Sequence, residues 1–458
     1  MIIDINVINS ALDKISDLTS GDKSMPGLLL DIHDEDMDVC YSDGRKSIID
    51  TIPIKTEDGD VKERIAVTYE LFKNAINNCK PSGDIIVDNI KFVFHTDNST
   101  FDIISDNKCK IGDGDDAQYK KISTKQFLIK YTNPEADNRM KVLLRAKYSE
   151  MFNPEANPDT LSKDELTNAL SKTATEKGKQ VYISKGKQTV FVVNQNFVTC
   201  VPIAPNEDGS NKLNYSMVIP QNIAKSIVNI ANRVASDAWS LYNKDQNICV
   251  MFTETENERV GISFQMPSAQ KTIVAALQRY ESLNYDSYRM MFMRAFFVDA
   301  VKTAKASVEN PNVEIDFENT DEGMKMVING GNANASTKNK YEITCEDVLD
   351  NVGDLDGKKY TMSINNLSDV LNQFDAGDIV FDITDDPDAK MVYVRVADVD
   401  RDKLVEDFGK MREEMQQRCV DRGETFDPAV TPTDKDLKTK WLRNCMTTKE
   451  YFIVNNKA

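Results

Sequence analysis

YTMSINNLSDVLNQFDAGDIVFDI, residues 360–383, decides how this chain is to be read. Its two ends alternate apolar and polar residues, as half-buried strands do, and its centre reads as one short amphipathic helix. The same strand, helix, strand order occurs twice upstream. Residues 65–105, IAVTYELFKNAINNCKPSGDIIVDNIKFVFHTDNSTFDIIS, place Leu71, Phe72, Ala75 and Ile76 on one side of a helix and follow it with strands IIVDNI, KFVFHT and FDIIS. Residues 215–266 repeat the order with a longer link from helix to strand. The copies lie about 150 residues apart, a period that points to repeated modules.

Each copy is preceded by a second helix followed by strands. VINSALDKISDL comes before GLLLDIHDEDMDVCYS and KSIIDTIPI; LSKDELTNALSKTATEK comes before KQVYISKGKQTVFVVNQNFVTCVPIA; RMMFMRAFFVDAVKTAKAS comes before VEIDFENTDEGMKMVING and KYEITCEDV. The expectation is an α+β fold of three tandem domains, 1–152, 153–286 and 287–458, each made of two strand-helix-strand half-modules. A helix standing alone between strands must bury one stripe against a sheet and leave its other face to water or a ligand.

Composition bears on what that ligand is. With 458 residues, 40% of them apolar, the chain can bury cores for about three domains. Its net charge of -18, from 56 Lys and Arg against 74 Asp and Glu, argues against unspecific adhesion to nucleic acid unless the basic residues gather on one surface. They lean that way. In the six helix windows, 7–18, 68–80, 161–177, 220–236, 289–307 and 364–375, basic residues outnumber acidic ones. They are Lys14, Lys73, Lys80, Lys163, Lys172, Lys177, Lys225, Arg233, Arg289, Arg294, Lys302 and Lys305. The plainer account is that Lys and Arg are good helix formers. The last window is the exception, with Asp369 and Asp375 and no basic residue.

Three tandem modules of two strand-rich halves resemble the bacterial-type beta sliding clamp, the processivity factor of replicative DNA polymerases. In the first module the resemblance rests on MPGLLLDI and DMDVCYSDGRKSIIDTIPI, in the second on MVIPQNIAKSIVNI and NICVMF, and in the third on FFVDAVKTAK, the opening stretch and DIVFDITDD. EYFIVNNKA stands where the family's terminal strand stands. The resemblance covers nearly the whole chain and is carried by order and spacing. It implies a head-to-tail homodimer closed into a ring, sheets outside and helices lining a hole around double-stranded DNA, with no enzymatic activity and no cofactor. All the basic residues named above except Lys177 and Arg289 would then face DNA and make loose, sequence-independent phosphate contacts.

The resemblance also implies a partner pocket between the second and third modules that takes short hydrophobic motifs of the DNA polymerase and clamp loader. By position it falls near Phe197, Val198, Pro387, Met391, Phe452 and Val454, whose apolar character suits an anchor pocket. Ordinary strand core is the plainer account of each.

Two departures stand out. Residues 401–446 intervene before the last strand, where the family has a short loop. RDKLVEDFGKMREEMQQRCV puts Leu404, Phe408, Met411 and Met415 at helical spacing, and the segment ends TDKDLKTKWLRNCM, with Trp441. It reads as a helical insertion that decorates the ring or gates the pocket. The polar end, VNNKA, also differs from the family's tail, and a divergent, phage-encoded clamp is the expectation.

Other chemistry finds little support. The eight cysteines contain no C-x-x-C pair, and only His33 and His95 could join them in a metal site, so free thiols in a reducing compartment are expected. MIIDINVINS lacks the basic flank and apolar core of a signal peptide, and no apolar run reaches membrane-spanning length. The expected location is the cytoplasm of a bacterial or infected host cell. IGDGDD, 111–116, is dense in acid, but a calcium loop counted from Asp113 ends on Thr124 rather than Glu. His33 in DIHDED reads as structural, INGGNANASTKN, 328–339, as a hairpin tip, and no catalytic motif appears. The competing reading is a clamp-like structural or interaction protein that binds proteins rather than DNA.

Overall fold

A computed structural model describes the chain except residues 20–26, 57–62, 112–117, 147–150, 152–156, 172–179, 194–196, 245–246, 257, 268–273, 276, 279–286, 308–310, 332–337, 346, 351–355, 373–376, 386–390, 400, 426–445 and 457–458. Two compact units emerge, Met1–Gln188 with Ile203–Ser268, and Thr189–Pro202 with Ala269–Ala458. The first expected domain and most of the second therefore fall within one unit, while 189–202 and 269–286 of the second expected domain belong to the other.

The first unit begins with β1 (Ile2–Asp4), α1 (Ile5–Thr19), β2 (Leu28–Ile32), β3 (Asp36–Ser42), β4 (Lys46–Pro53), β5 (Arg64–Val67) and α2 (Tyr69–Cys79). β6 (Ile85–Ile86), β7 (Asn89–His95), β8 (Thr100–Ile111) and β9 (Gln118–Thr132) follow, then a 3-10 turn at Lys141–Arg145. The second stretch runs β10 (Asp159–Ser162), α3 (Lys163–Ser171) and β11 (Gln180–Ser184). It resumes with β14 (Met217–Pro220), α4 (Gln221–Arg233), β15 (Ala238–Lys244), β16 (Ile248–Glu254) and β17 (Arg259–Gln265).

Antiparallel pairing links most of these strands in the order β1-β7-β8-β9-β5-β2-β3-β4-β17-β16-β15-β10. Local sequence fixes the helix ends. The Asp4 carboxylate accepts from the Asn6 backbone N–H at 2.7 Å and starts α1. Ser162 and Glu165 cap α3 reciprocally, Glu165 N to Ser162 Oγ at 3.1 Å and Ser162 N to Glu165 Oε2 at 2.8 Å. α2 stops before Pro81, which drives Lys80 to an extended ψ of 147°.

The middle strands are buried almost without interruption, β4 from Ser47 to Ile52, because both faces of the sheet are covered. On one face Leu29, Cys40, Ile49 and Val250 pack with Leu143, Ala146 and Met151 of the segment after β9. On the other, α1 packs against β4. The seam between the first and second expected modules is the β4–β17 ladder, Ile48 opposite Ile262 and Thr51 opposite Arg259. Above it, α2, α1, α4 and α3 lie in a row, each touching the next.

A buried charge cluster locks that seam. Lys14, on α1 and 1% exposed, reaches Asp50 Oδ2 on β4 at 2.9 Å and also bonds Glu258, just before β17. Burial alone would lower the Lys14 pKa, but the Asp50 charge and the Glu258 bond outweigh it and hold the ammonium above the usual lysine value. For Asp50, fully enclosed, burial outweighs the pull of Lys14 and lifts the carboxyl to about 6.

The second unit holds β12 (Thr189–Val193), β13 (Phe197–Pro202), β18 (Ser287–Met293), α5 (Arg294–Ser307), β19 (Asn312–Thr320), β20 (Gly323–Gly331) and β21 (Lys338–Thr344). β22 (Asp347–Asp350), β23 (Lys359–Ser363), α6 (Ile364–Leu371), β24 (Asp378–Asp385), β25 (Met391–Val399), α7 (Arg401–Asp421) and β26 (Met446–Asn456) complete it. One sheet runs β12-β13-β26-β25-β24-β18-β22, the other β21-β20-β19-β23. α5 and α6 pack together, and their Phe297, Val301, Leu367 and Leu371 share a core with Phe292, Phe317 and Phe381.

The opening stretch is strand, helix, strand as expected: β23, α6, β24. The window 289–307 is not helical throughout. Its first residues belong to β18, where Met290 pairs with Phe381 and Phe292 with Ile379, and the helix starts only at Arg294. Arg289 is thus on a strand. The insertion does form a helix, α7, on which Met415 and Cys419, four apart, are buried; residues 426–445, with Trp441, lie outside the described residues.

Removing one member of the Lys14 cluster strands the others in the interior. Lys14→Ala is expected to lower stability by about 3–5 kcal/mol, read as a drop in the urea midpoint. Asp50 has a folded pKa above its unfolded value, so its contribution is fully present below about pH 4 and is lost as pH rises through about 6. Between those limits wild-type stability should fall relative to Asp50→Asn.

Candidate nucleic-acid interface

Of the expected DNA-facing residues, Lys14, Lys73, Lys80, Lys163, Lys225 and Arg233 lie on or beside the row of helices in the first unit. Their side chains divide sharply. Lys225 on α4 projects into solvent, as do Lys302 and Lys305 on α5 in the second unit. Lys73 is half-buried, donating to Ser16 Oγ at 3.2 Å and Tyr69 Oη at 3.0 Å with its ammonium 5.2 Å from the Tyr69 ring centroid. Lys80 is half-buried just beyond α2. Lys163 donates to the Val234 carbonyl at 2.8 Å, and Arg294 to the Leu371 carbonyl at 3.3 Å. Both tie neighbouring helices together, α3 to the end of α4 and α5 to the end of α6.

Arg233 closes the α1–α4 contact by bonding Asp17 at 2.7 Å and Asp13 at 3.3 Å, where Ser226 also donates to the Asp17 carbonyl at 2.7 Å. Lys14 departs furthest from the expectation: it points into the protein and is neutralised by Asp50 and Glu258, so it presents no charge to a phosphate. Lys172 and Lys177 lie outside the described residues. Helical position alone could not separate these cases, because partner carboxylates come from strands and helices far away in the chain.

The expected pocket residues converge on three adjacent strands of the second unit. Val198 on β13 pairs with Phe452 on β26, which pairs with Arg395 on β25. Val454 pairs with Tyr393 and Met391 with Asn456. By the two-residue period Val198, Phe452, Val454 and Met391 share one face of the ladder, whereas Phe197, opposite Ile453, falls on the other. Pro387 lies outside the described residues.

One cluster was read in the sequence only as structural. The short β2–β3 connection brings Asp31, His33 and Asp38 together, with ligand-type atoms within 4.8 Å of one another. A divalent cation fits three such groups in principle. Here Arg64 donates to Asp31 Oδ2 at 2.6 Å and Thr51 to Asp38 Oδ1 at 2.6 Å, so the carboxylates already have donors. Burial raises the Asp38 pKa despite the Thr51 bond. Cys40, Cys79, Cys109, Cys249, Cys345 and Cys419 are free thiols. Among the described residues no helix is long and apolar enough to cross a membrane.

No protein-family model and no curated protein matches the chain. Solved structures do. The chain is similar to the DNA polymerase III beta subunit of Thermotoga maritima, with 9% identity and a TM-score of 0.58, covering 100% of this chain and 99% of that one. It is similar to the Helicobacter pylori beta clamp in complex with 5-chloroisatin, with 12% identity, a TM-score of 0.60 and 100% of each chain covered. It is also similar to the Pseudomonas aeruginosa sliding clamp bound to griselimycin, with 10% identity, a TM-score of 0.62, and 100% and 99% covered. Likeness at this level of identity is one of fold: an α+β chain of antiparallel sheets with few helices. The chain has the fold of the bacterial beta sliding clamp.

Arg233 is 42% exposed, so its ion pairs sit largely in water. Arg233→Ala should lower stability by no more than about 1 kcal/mol in urea unfolding.

Proposed function

We propose that this protein is a DNA sliding clamp, a non-enzymatic ring that encircles duplex DNA and tethers a polymerase and other partners. The observation that carries the reading is the full-length likeness to beta clamps, with helices laid side by side on one side of the first unit. In this reading the chain keeps three tandem domains, 1–152, 153–286 and 287–458, and two chains close head to tail around DNA. Support for a second copy comes from exposed apolar side chains, Leu71 on α2 at 62% and Phe296 on α5 at 64%, and from β21, which ends its sheet. Phe296→Asp should convert a dimer to a monomer in analytical ultracentrifugation; an unchanged mass removes that face from the contact.

Lys225, Lys302 and Lys305 are the cations best placed to meet phosphates, because they are exposed. Three phosphate contacts per chain are weak and sequence-independent, as sliding requires. The closed protein should remain on circular DNA and run off linear DNA; equal loss from both would sink the ring. Changing all three lysines to Glu should cut retention and flatten its salt dependence. Polymerase and loader motifs are assigned to the strip of Val198, Met391, Phe452 and Val454, with α7 beside it in sequence. The proposed location is the cytoplasm of a bacterium or infected host cell.

A further inference from the structure

We infer that a basic cleft on the first unit, separate from the strip assigned above to polymerase motifs, docks a short acidic peptide segment carrying an apolar residue. The cleft has a volume of about 480 Å³ and opens where three segments meet. The β3–β4 turn supplies Arg45, the 3-10 turn after β9 supplies Arg145, and the end of β15 supplies Lys244. Among the described residues no carboxylate lines it, in a chain whose net charge is -18. Arg45 and Arg145 are exposed and make no ion pair with a described residue. Met151, Ile248 and Val250 form an apolar floor.

The walls are set before any ligand arrives. Gln265 N donates to the Arg45 carbonyl and Met266 N to the Asn247 carbonyl, each at 2.7 Å, pinning the β3–β4 turn and the residue before β16 to the end of β17. Tyr242 Oη donates to the Met151 carbonyl at 2.8 Å and anchors the floor from below. Gly44 has φ +87°, and a Cβ there would come within 2.7 Å of Arg145 Nη1. Glycine therefore both makes the turn and leaves room for the guanidinium to lie against it.

The chemistry selects the occupant. Guanidinium groups bind carboxylates through paired hydrogen bonds, and cations held around an apolar floor reward a ligand that brings negative charge and a hydrophobic side chain together. A cleft of this size takes a few side chains, and an apolar floor has nothing to offer a phosphate backbone. The inference does not depend on ring closure around DNA.

The test uses the full chain and two pools of fluorescein-labelled octapeptides, each with a central Leu-Phe pair, one flanked throughout by Asp or Glu and the other by Lys. Fluorescence anisotropy should show saturable, salt-sensitive binding of the acidic pool only. The double variant Arg45→Glu, Arg145→Glu should weaken it at least about ten-fold, as expected when two charge-assisted bonds become repulsive. Both side chains are exposed, and an unchanged urea midpoint would verify folding of the variant. Retention on circular DNA should be unaltered by the double variant, which separates this result from the clamp reading. Absence of saturable binding by the acidic pool, or equal binding by the variant, overturns the inference. A labelled duplex that binds the wild type and is lost in the same variant would assign the cleft to nucleic acid instead.

Discussion

Lys14 runs its side chain from a helix onto the β4–β17 seam of the first unit's sheet and ends between Asp50 and Glu258. The two carboxylates sit on either side of the β4–β17 ladder, so the cation spans the seam between the first two expected modules rather than lying within one of them. A full charge in the interior is tolerated only in the geometry that supplies its counter-charges. The triad therefore fixes how α1 lies over the seam, and α1 in turn sets the line of helices on which the candidate DNA surface depends.

That constraint changes how the helix charges are to be counted. The sequence places many cations on helices, yet several are engaged by the protein itself: Lys14 on the seam, Arg233 on α1, Lys163 and Arg294 on helix-end carbonyls. Among the described helix residues, the cations that reach solvent without an ion pair are a sparser set, Lys225, Lys302 and Lys305. Under the sliding-clamp proposal, a surface with few cations on a strongly acidic protein suits encirclement better than adhesion, since a topological link needs little affinity to persist.

The strand, helix, strand order of residues 360–383 and its copies were legible because period-two and helical patterns are local, and repetition made each weak signal count more than once. The start of α5 was not. MMFM reads as well in a buried strand as in a helix, and only its pairing with β24 settles which it is. Gly44 gave no warning that it makes room for Arg145, one hundred and one residues away.

The sequence by itself determined most element types and their order, because those follow from backbone propensity and side-chain periodicity along the chain. Tertiary structure alone decided which charges are free. Ion pairing and burial depend on what other segments bring within a few ångströms, and Lys14 and Lys225, both lysines on helices of the same row, come out as a buried clasp and an open cation.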